Sequence, residues 1–135
     1  MSSTVPERKR NNGKKEWDLL IRANELTCYT IEICDNKNIF VPEHQSAITD
    51  KIIKNAIMIY VACWDANQIR VSPNTPDDER DSRKKSQDKA IKCCNRLLAL
   101  MQIAKRLFHL KTKRIKYWGK NTIDVREGIK RWQKS

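Results

Sequence analysis

Within the twelve residues from Lys105 to Lys116 the chain carries Lys105, Arg106, His109, Lys111, Lys113, Arg114 and Lys116. Positive charge clustered this densely draws in polyanions, phosphate polymers above all. The apolar pattern around the cluster places Lys113, Arg114 and Lys116 in the first turns of a fourth helix. Backbone N–H groups are unsatisfied there, and the helix dipole is already positive. Each cation at that position opposes the dipole by roughly 0.3–1 kcal/mol when partly exposed. Stability alone would place acids there, as Asp77 and Asp78 do at the start of the third helix. Free N–H groups and cations together form an anion site, and a phosphate backbone would remove the conflict.

Tyr117 adjoins the cluster, about 100 degrees off the apolar seam of its helix. That position suits stacking on an unpaired base or packing on a neighbouring helix. Trp118 falls on the seam and belongs to the core. Lys120–Asp124 and Glu127–Arg131 have the spacing of i,i+4 ion pairs on a solvated face. Lys130, Arg131 and Lys134 have no other acid to pair with and would extend the basic surface. The candidate nucleic-acid contacts are therefore Lys105, Arg106, Lys111, Lys113, Arg114, Lys116, Tyr117, Lys120, Lys130 and Arg131.

Catalysis finds little support. The two histidines are His44, near a helix start, and His109, in the turn before the fourth helix. An isolated histidine in such a place is more often solvated or capping than a base. No phosphate-cradling G-x-x-x-x-G-K-[ST] loop, G-x-S-x-G elbow or H-E-x-x-H helix occurs. Small helical ribonucleases that cut RNA with R-x(4–6)-H share this architecture, but Arg106 stands only three residues before His109. Cys28, Cys34, Cys63, Cys93 and Cys94 are odd in number, lack C-x-x-C spacing and lie in apolar helical patterns. They are expected to be buried, reduced thiols acting as small hydrophobes. Nothing here calls for a metal or cofactor.

The charge is uneven along the chain. Residues 1–15 hold five Lys/Arg against one acid, +4, and residues 105–135 hold eleven against two, +9. Residues 16–104 sum to −1, within a formal total of +12 for 135 residues. A neutral body with two basic ends fits a surface for polyanions. No apolar run approaches the ~18 residues of a membrane span, and the N-terminus lacks the apolar stretch of a signal peptide. A cytoplasmic location is expected.

These side chains must be positioned by helices, since three glycines and four prolines are too few for the turns of a sandwich or barrel. Residues 1–15 are almost without hydrophobic content and are expected to form a flexible basic arm, with the folded domain over 16–135. Leu19, Ala23, Leu26, Thr30 and Ile33 make one face of a first helix from Glu16 to about Asp35. Ile48, Ile52, Ala56, Ile59, Cys63 and Ala66 make the stripe of a second, from about Glu43 to Ile69. Thr75-Pro76-Asp77-Asp78 predicts the third helix start, with Thr75 as N-cap and proline at the first helical position. This helix should run to about Phe108. It bears two apolar stripes, Ala90, Cys93, Leu97, Leu100, Ala104, Leu107 and Ile91, Cys94, Leu98, Met101, Phe108. Two stripes suit either two neighbours in one bundle or a subunit interface. Ile115, Trp118, Thr122, Val125, Ile129 and Trp132 form the seam of a fourth helix over Thr112 to Lys134. Short connections make the expected fold an all-α, up-down-up-down four-helix bundle.

Ala66-Asn67, Arg80 to Gln87, Ala90-Ile91, Cys94-Asn95, Leu97-Leu98, Ile103-Ala104, Arg114-Ile115-Lys116-Tyr117-Trp118, Val125, Ile129 and Trp132 carry a resemblance. Over about residues 16–135 the chain resembles the four-helix-bundle accessory variability determinant (Avd) proteins of diversity-generating retroelements. Those are related to bundle proteins encoded in ribosomal RNA intervening sequences. The Arg-Ile-Lys-Tyr-Trp stretch and the terminal tryptophan are its strongest part, and the arm of residues 8–15 lies outside it. The resemblance implies a homopentameric barrel of bundles with a basic surface. It also implies a non-catalytic partner of the retroelement's reverse transcriptase that binds template RNA, with cDNA or an RNA–DNA hybrid as alternatives. Mutagenic reverse transcription would be the reaction of the complex. Lys105, Arg106, Lys111, Lys113, Arg114 and Lys116 would then contact nucleic acid or polymerase. The competing reading is a protein-interaction scaffold whose basic ends meet an acidic protein.

Overall fold

Four segments each carry an apolar stripe that must be buried, and the chain does so with four helices. These are α1 (Glu7–Asp35), α2 (Asp50–Asn67), α3 (Asp77–Leu107) and α4 (Thr112–Lys134). A computed structural model describes the backbone of residues 7–135 and the side chains of 14–43 and 47–135. No strand occurs among the described residues. The stripes of α1, α2 and α4 expected from periodicity are buried at every position, from Leu19 to Ile33, from Ile48 to Ala66 and from Ile115 to Trp132.

Helix α1 lies against α2 and α4, and α3 against the same two. Asp88 meets Gln133 at 2.6 Å while Asn95 meets Arg126 at 2.9 Å, so α3 and α4 run antiparallel. The Thr27 hydroxyl donates to the Ala56 carbonyl at 2.8 Å across α1 and α2. The Trp118 indole N–H donates to the Thr30 hydroxyl at 3.0 Å across α1 and α4. Residues from both stripes of α3 (Ala90, Cys93, Leu97, Ala104 and Cys94, Met101) are buried, which is the consequence of touching two neighbours in its own bundle.

Several boundaries differ from the periodic reading. Helix α1 begins at Glu7 and not Glu16, so residues 7–15 of the expected arm continue it; residues 1–6 lie outside the described ones. The second helix does not start at Glu43: a 3-10 turn over Pro42–His44 and a π-helical turn over Gln45–Thr49 lead into α2. It also ends at Asn67, short of Ile69. Thr75 does not cap α3, whose N-cap is Pro76 without a side-chain cap bond. The Thr75 hydroxyl instead accepts from the Ser72 N–H at 2.7 Å and reaches the Arg70 carbonyl at 3.3 Å, stabilising the preceding turn. No helix of the described residues is long and apolar enough to cross a membrane.

Candidate nucleic-acid interface

The cluster is assembled by the turn that ends α3. His109 has φ 53, a left-handed conformation rare outside glycine but tolerated by histidine. The Leu110 N–H then bonds the Lys105 carbonyl at 3.0 Å, the 6→1 bond of a Schellman terminus, while the Phe108 N–H makes the last ordinary helical bond of α3, to the Ala104 carbonyl at 2.9 Å. Buried Leu110 anchors the turn. His109 is thus a helix stop. The side chain of His44 is outside the described residues.

Beyond this turn α4 starts without help. Its N-cap is Lys111, in an extended conformation, with no side-chain cap bond and no acid in the first turn. Asp77, Asp78 and Glu79 fill the corresponding turn of α3. The Lys111 carbonyl accepts from Arg114 at 3.0 Å and Ile115 at 3.2 Å. This leaves the N–H groups of Thr112 and Lys113 pointing out of the helix start. Lys111, Lys113 and Lys116 are exposed and Arg114 half-buried, while Lys105 and Arg106 close the last turn of α3. Phe40 backs this end of the bundle, 4.6 Å from Phe108 and 6.2 Å from Trp118 between ring centroids.

Tyr117 continues the face one turn on. Its ring meets Tyr29 of α1 edge-to-face at 5.3 Å and remains 57% exposed. Both line a groove of about 370 Å³ between α1 and α4, with Arg22, Glu25, Lys120, Asn121 and Asp124. Lys120 pairs with Asp124 at 3.6 Å, as its spacing predicts. Periodicity alone does not find Tyr29 or Asn121, since their place in this groove depends on the α1–α4 register.

Lys130 and Arg131 do not join the cluster. They stand on the same helix roughly 27–29 Å from its start at Thr112, at 1.5 Å per residue. The expected Glu127–Arg131 pair is replaced: Glu127 bonds Arg126 at 3.1 Å and Lys130 at 3.3 Å. Lys130 therefore has an acid partner. Hydrogen bonds from Arg126 and Lys130 hold the Glu127 carboxyl below its usual range. Arg131 lines a second cavity, about 360 Å³, with Lys15, Glu16, Asp18 and Trp132.

Four cysteines are buried, but Cys28 is exposed because it lies on the outer side of α1. Burial pushes the thiols of Cys34 and Cys63 up to about 12. Cys93 and Cys94 are raised by the same cause. Among the described residues no group of three or more His, Cys, Asp or Glu is placed to hold a metal ion. A scan against family models finds no match, and neither do searches of the curated proteins and of the solved structures.

Proposed function

We propose that this chain is a non-catalytic, nucleic-acid-binding accessory subunit that partners a retroelement reverse transcriptase and its template RNA in mutagenic reverse transcription. The carrying observation is the start of α4: an uncapped helix terminus with Lys111, Lys113, Arg114 and Lys116 where acids would be stabilising. Repulsion built into that terminus is relieved by phosphates, which bring their own negative charge. The Arg114-Ile115-Lys116-Tyr117-Trp118 stretch and the four-helix architecture support the retroelement part of the reading. On it, the polymerase supplies the chemistry, the chain acts in the cytoplasm, and several copies assemble, five by the resemblance.

Fluorescence anisotropy with a structured RNA, titrated from low to physiological salt, tests the binding. Affinity should fall steeply with salt, because phosphate contacts release counterions. Reversing Lys113 and Arg114 to glutamate should weaken binding and flatten the salt slope with helicity unchanged. An absence of binding at low salt would transfer the basic surface to an acidic protein partner, the scaffold reading.

A further inference from the structure

We infer that the groove between α1 and α4, where Tyr117 meets Tyr29 beside the basic start of α4, takes one unpaired base. The ligand would then be single-stranded where it crosses this helix. The inference rests on the nucleic-acid reading above and specifies the form of nucleic acid.

Three features converge. The first is the ring itself. Tyr117 uses at most one face or edge in its contact with Tyr29, at 70° between planes, and is 57% exposed. A large aromatic surface is thereby held in place by a neighbour and open on the remaining side. Base stacking needs such a platform, and it works for any base because each has a π-face.

The second is how charge is divided. Lys113, Arg114, Tyr117, Lys120, Asn121 and Asp124 are spaced by three and four residues along one face of α4. The cations at the helix start lack acid neighbours in its first turn. The groove, in contrast, balances itself, Arg22 and Lys120 standing with Glu25 and Asp124. A nucleotide has the same division, a charged phosphate beside an uncharged base. Lys113 and Arg114 lie about one helical turn, roughly 5 Å, from Tyr117, so one nucleotide can reach both zones.

The third is Asn121, which lines the groove with an amide able both to donate to and accept from a base edge. In a duplex those edges are paired and the base faces are stacked, so neither Tyr117 nor Asn121 could use them. Unpaired loops and ends present both.

The experiment uses the full chain with a 2-aminopurine-labelled RNA strand of about ten nucleotides, and the same strand annealed to its complement. The single strand should bind more tightly than the duplex, with 2-aminopurine fluorescence quenched by stacking. Tyr117→Leu should weaken single-strand binding about 5- to 150-fold, the range of one stacked base, and abolish the quench. Its salt slope should stay that of the native protein, because no phosphate contact is removed. Tyr117→Phe should bind within about twofold of the native chain, since the ring is kept. Circular dichroism confirms that the variants, altered at an exposed position, keep their helices. Equal affinity for both forms with no effect of Tyr117→Leu overturns the groove assignment and leaves the basic site standing. Binding to neither form overturns both.

Discussion

The guanidinium of Arg83, on α3, lies over the ring of Trp132, on α4, 5.0 Å from its centroid. The same guanidinium donates to the Ile69 carbonyl just beyond α2 at 2.8 Å and stands 3.7 Å from the Glu16 carboxylate on α1. One side chain, 13% exposed, thus ties together all four helices at the end of the bundle away from the basic cluster. Arginine suits this place because its planar fork stacks on a ring while its N–H groups serve two acceptors. Arg83→Ala should lower unfolding free energy by about 2–4 kcal/mol, combining a charged hydrogen bond and a half-buried cation–π contact. Arg83→Lys should recover only part of it. Urea denaturation followed by circular dichroism checks both, and an alanine loss under about 0.5 kcal/mol would refute the pinning role.

At the other end, stability and binding pull in opposite directions. Lys111 is the N-cap of α4 with φ −64 and ψ 139, a conformation a capping aspartate adopts without strain. Lys111→Asp should supply the missing acceptor and stabilise the fold by about 1 kcal/mol. The same change should weaken RNA binding, since it places a carboxylate where a phosphate is expected. Melting temperature and anisotropy, measured on one preparation, should move in opposite senses. A loss of both would mean that Lys111 supports the fold.

Much of this bundle is legible in the sequence because burial follows a period of 3.6 residues. Ile115, Trp118, Thr122, Val125, Ile129 and Trp132 were spaced for one buried seam, and all six are buried. The start of α1 at Glu7 was not legible, because residues 7–15 carry no apolar stripe to mark a helix. Neither was the role of Thr75, whose cap signature was outcompeted by a turn hydrogen bond to Ser72. The basic turn was visible as a run of residue types. Tyr29 opposite Tyr117, and Arg83 over Trp132, were not, for each depends on residues 88 and 49 positions apart being brought together by helix register.

Thiol burial sets an alkaline limit. Cys63 is fully buried and its folded pKa is raised from 9.0 to about 12, with desolvation the cause. As pH rises through 9, the unfolded thiol loses its proton while the folded one keeps it, so stability falls with pH between those values. By pH 10 the loss should reach roughly 1.4 kcal/mol for this thiol. Urea denaturation under reducing conditions at pH 8 and pH 10 measures it, with Cys63→Ala as the control. The variant should lose correspondingly less between the two pH values. An equal loss in both proteins would remove Cys63 from the account. Exposed Cys28 should react with a thiol reagent in the folded protein, and the four buried cysteines only after unfolding.

Self-association, which the wide apolar face of α3 suggested, has a better candidate surface on α2. From Asn55 to Trp64 that helix carries no charged residue. Its core stripe is buried in the bundle, yet Ile57, Val61 and Trp64 are exposed on another side, Trp64 by 45%. Trp17 and Ile21 of α1, which packs against α2, are exposed as well. A helix apolar on more than its bundle-facing side is normally covered, and a contiguous patch of this kind marks an association surface. If copies of this chain meet there, the native protein should sediment as an oligomer at micromolar concentration. Trp64→Glu, which buries a charge in such an interface, should reduce the mass toward the monomer with the helical signal unchanged. A monomeric native chain would refute self-association outright. An oligomer indifferent to Trp64→Glu would place the interface elsewhere, with Ile103 and Leu107 of α3, the exposed apolar residues next to the basic turn, as the next positions to change.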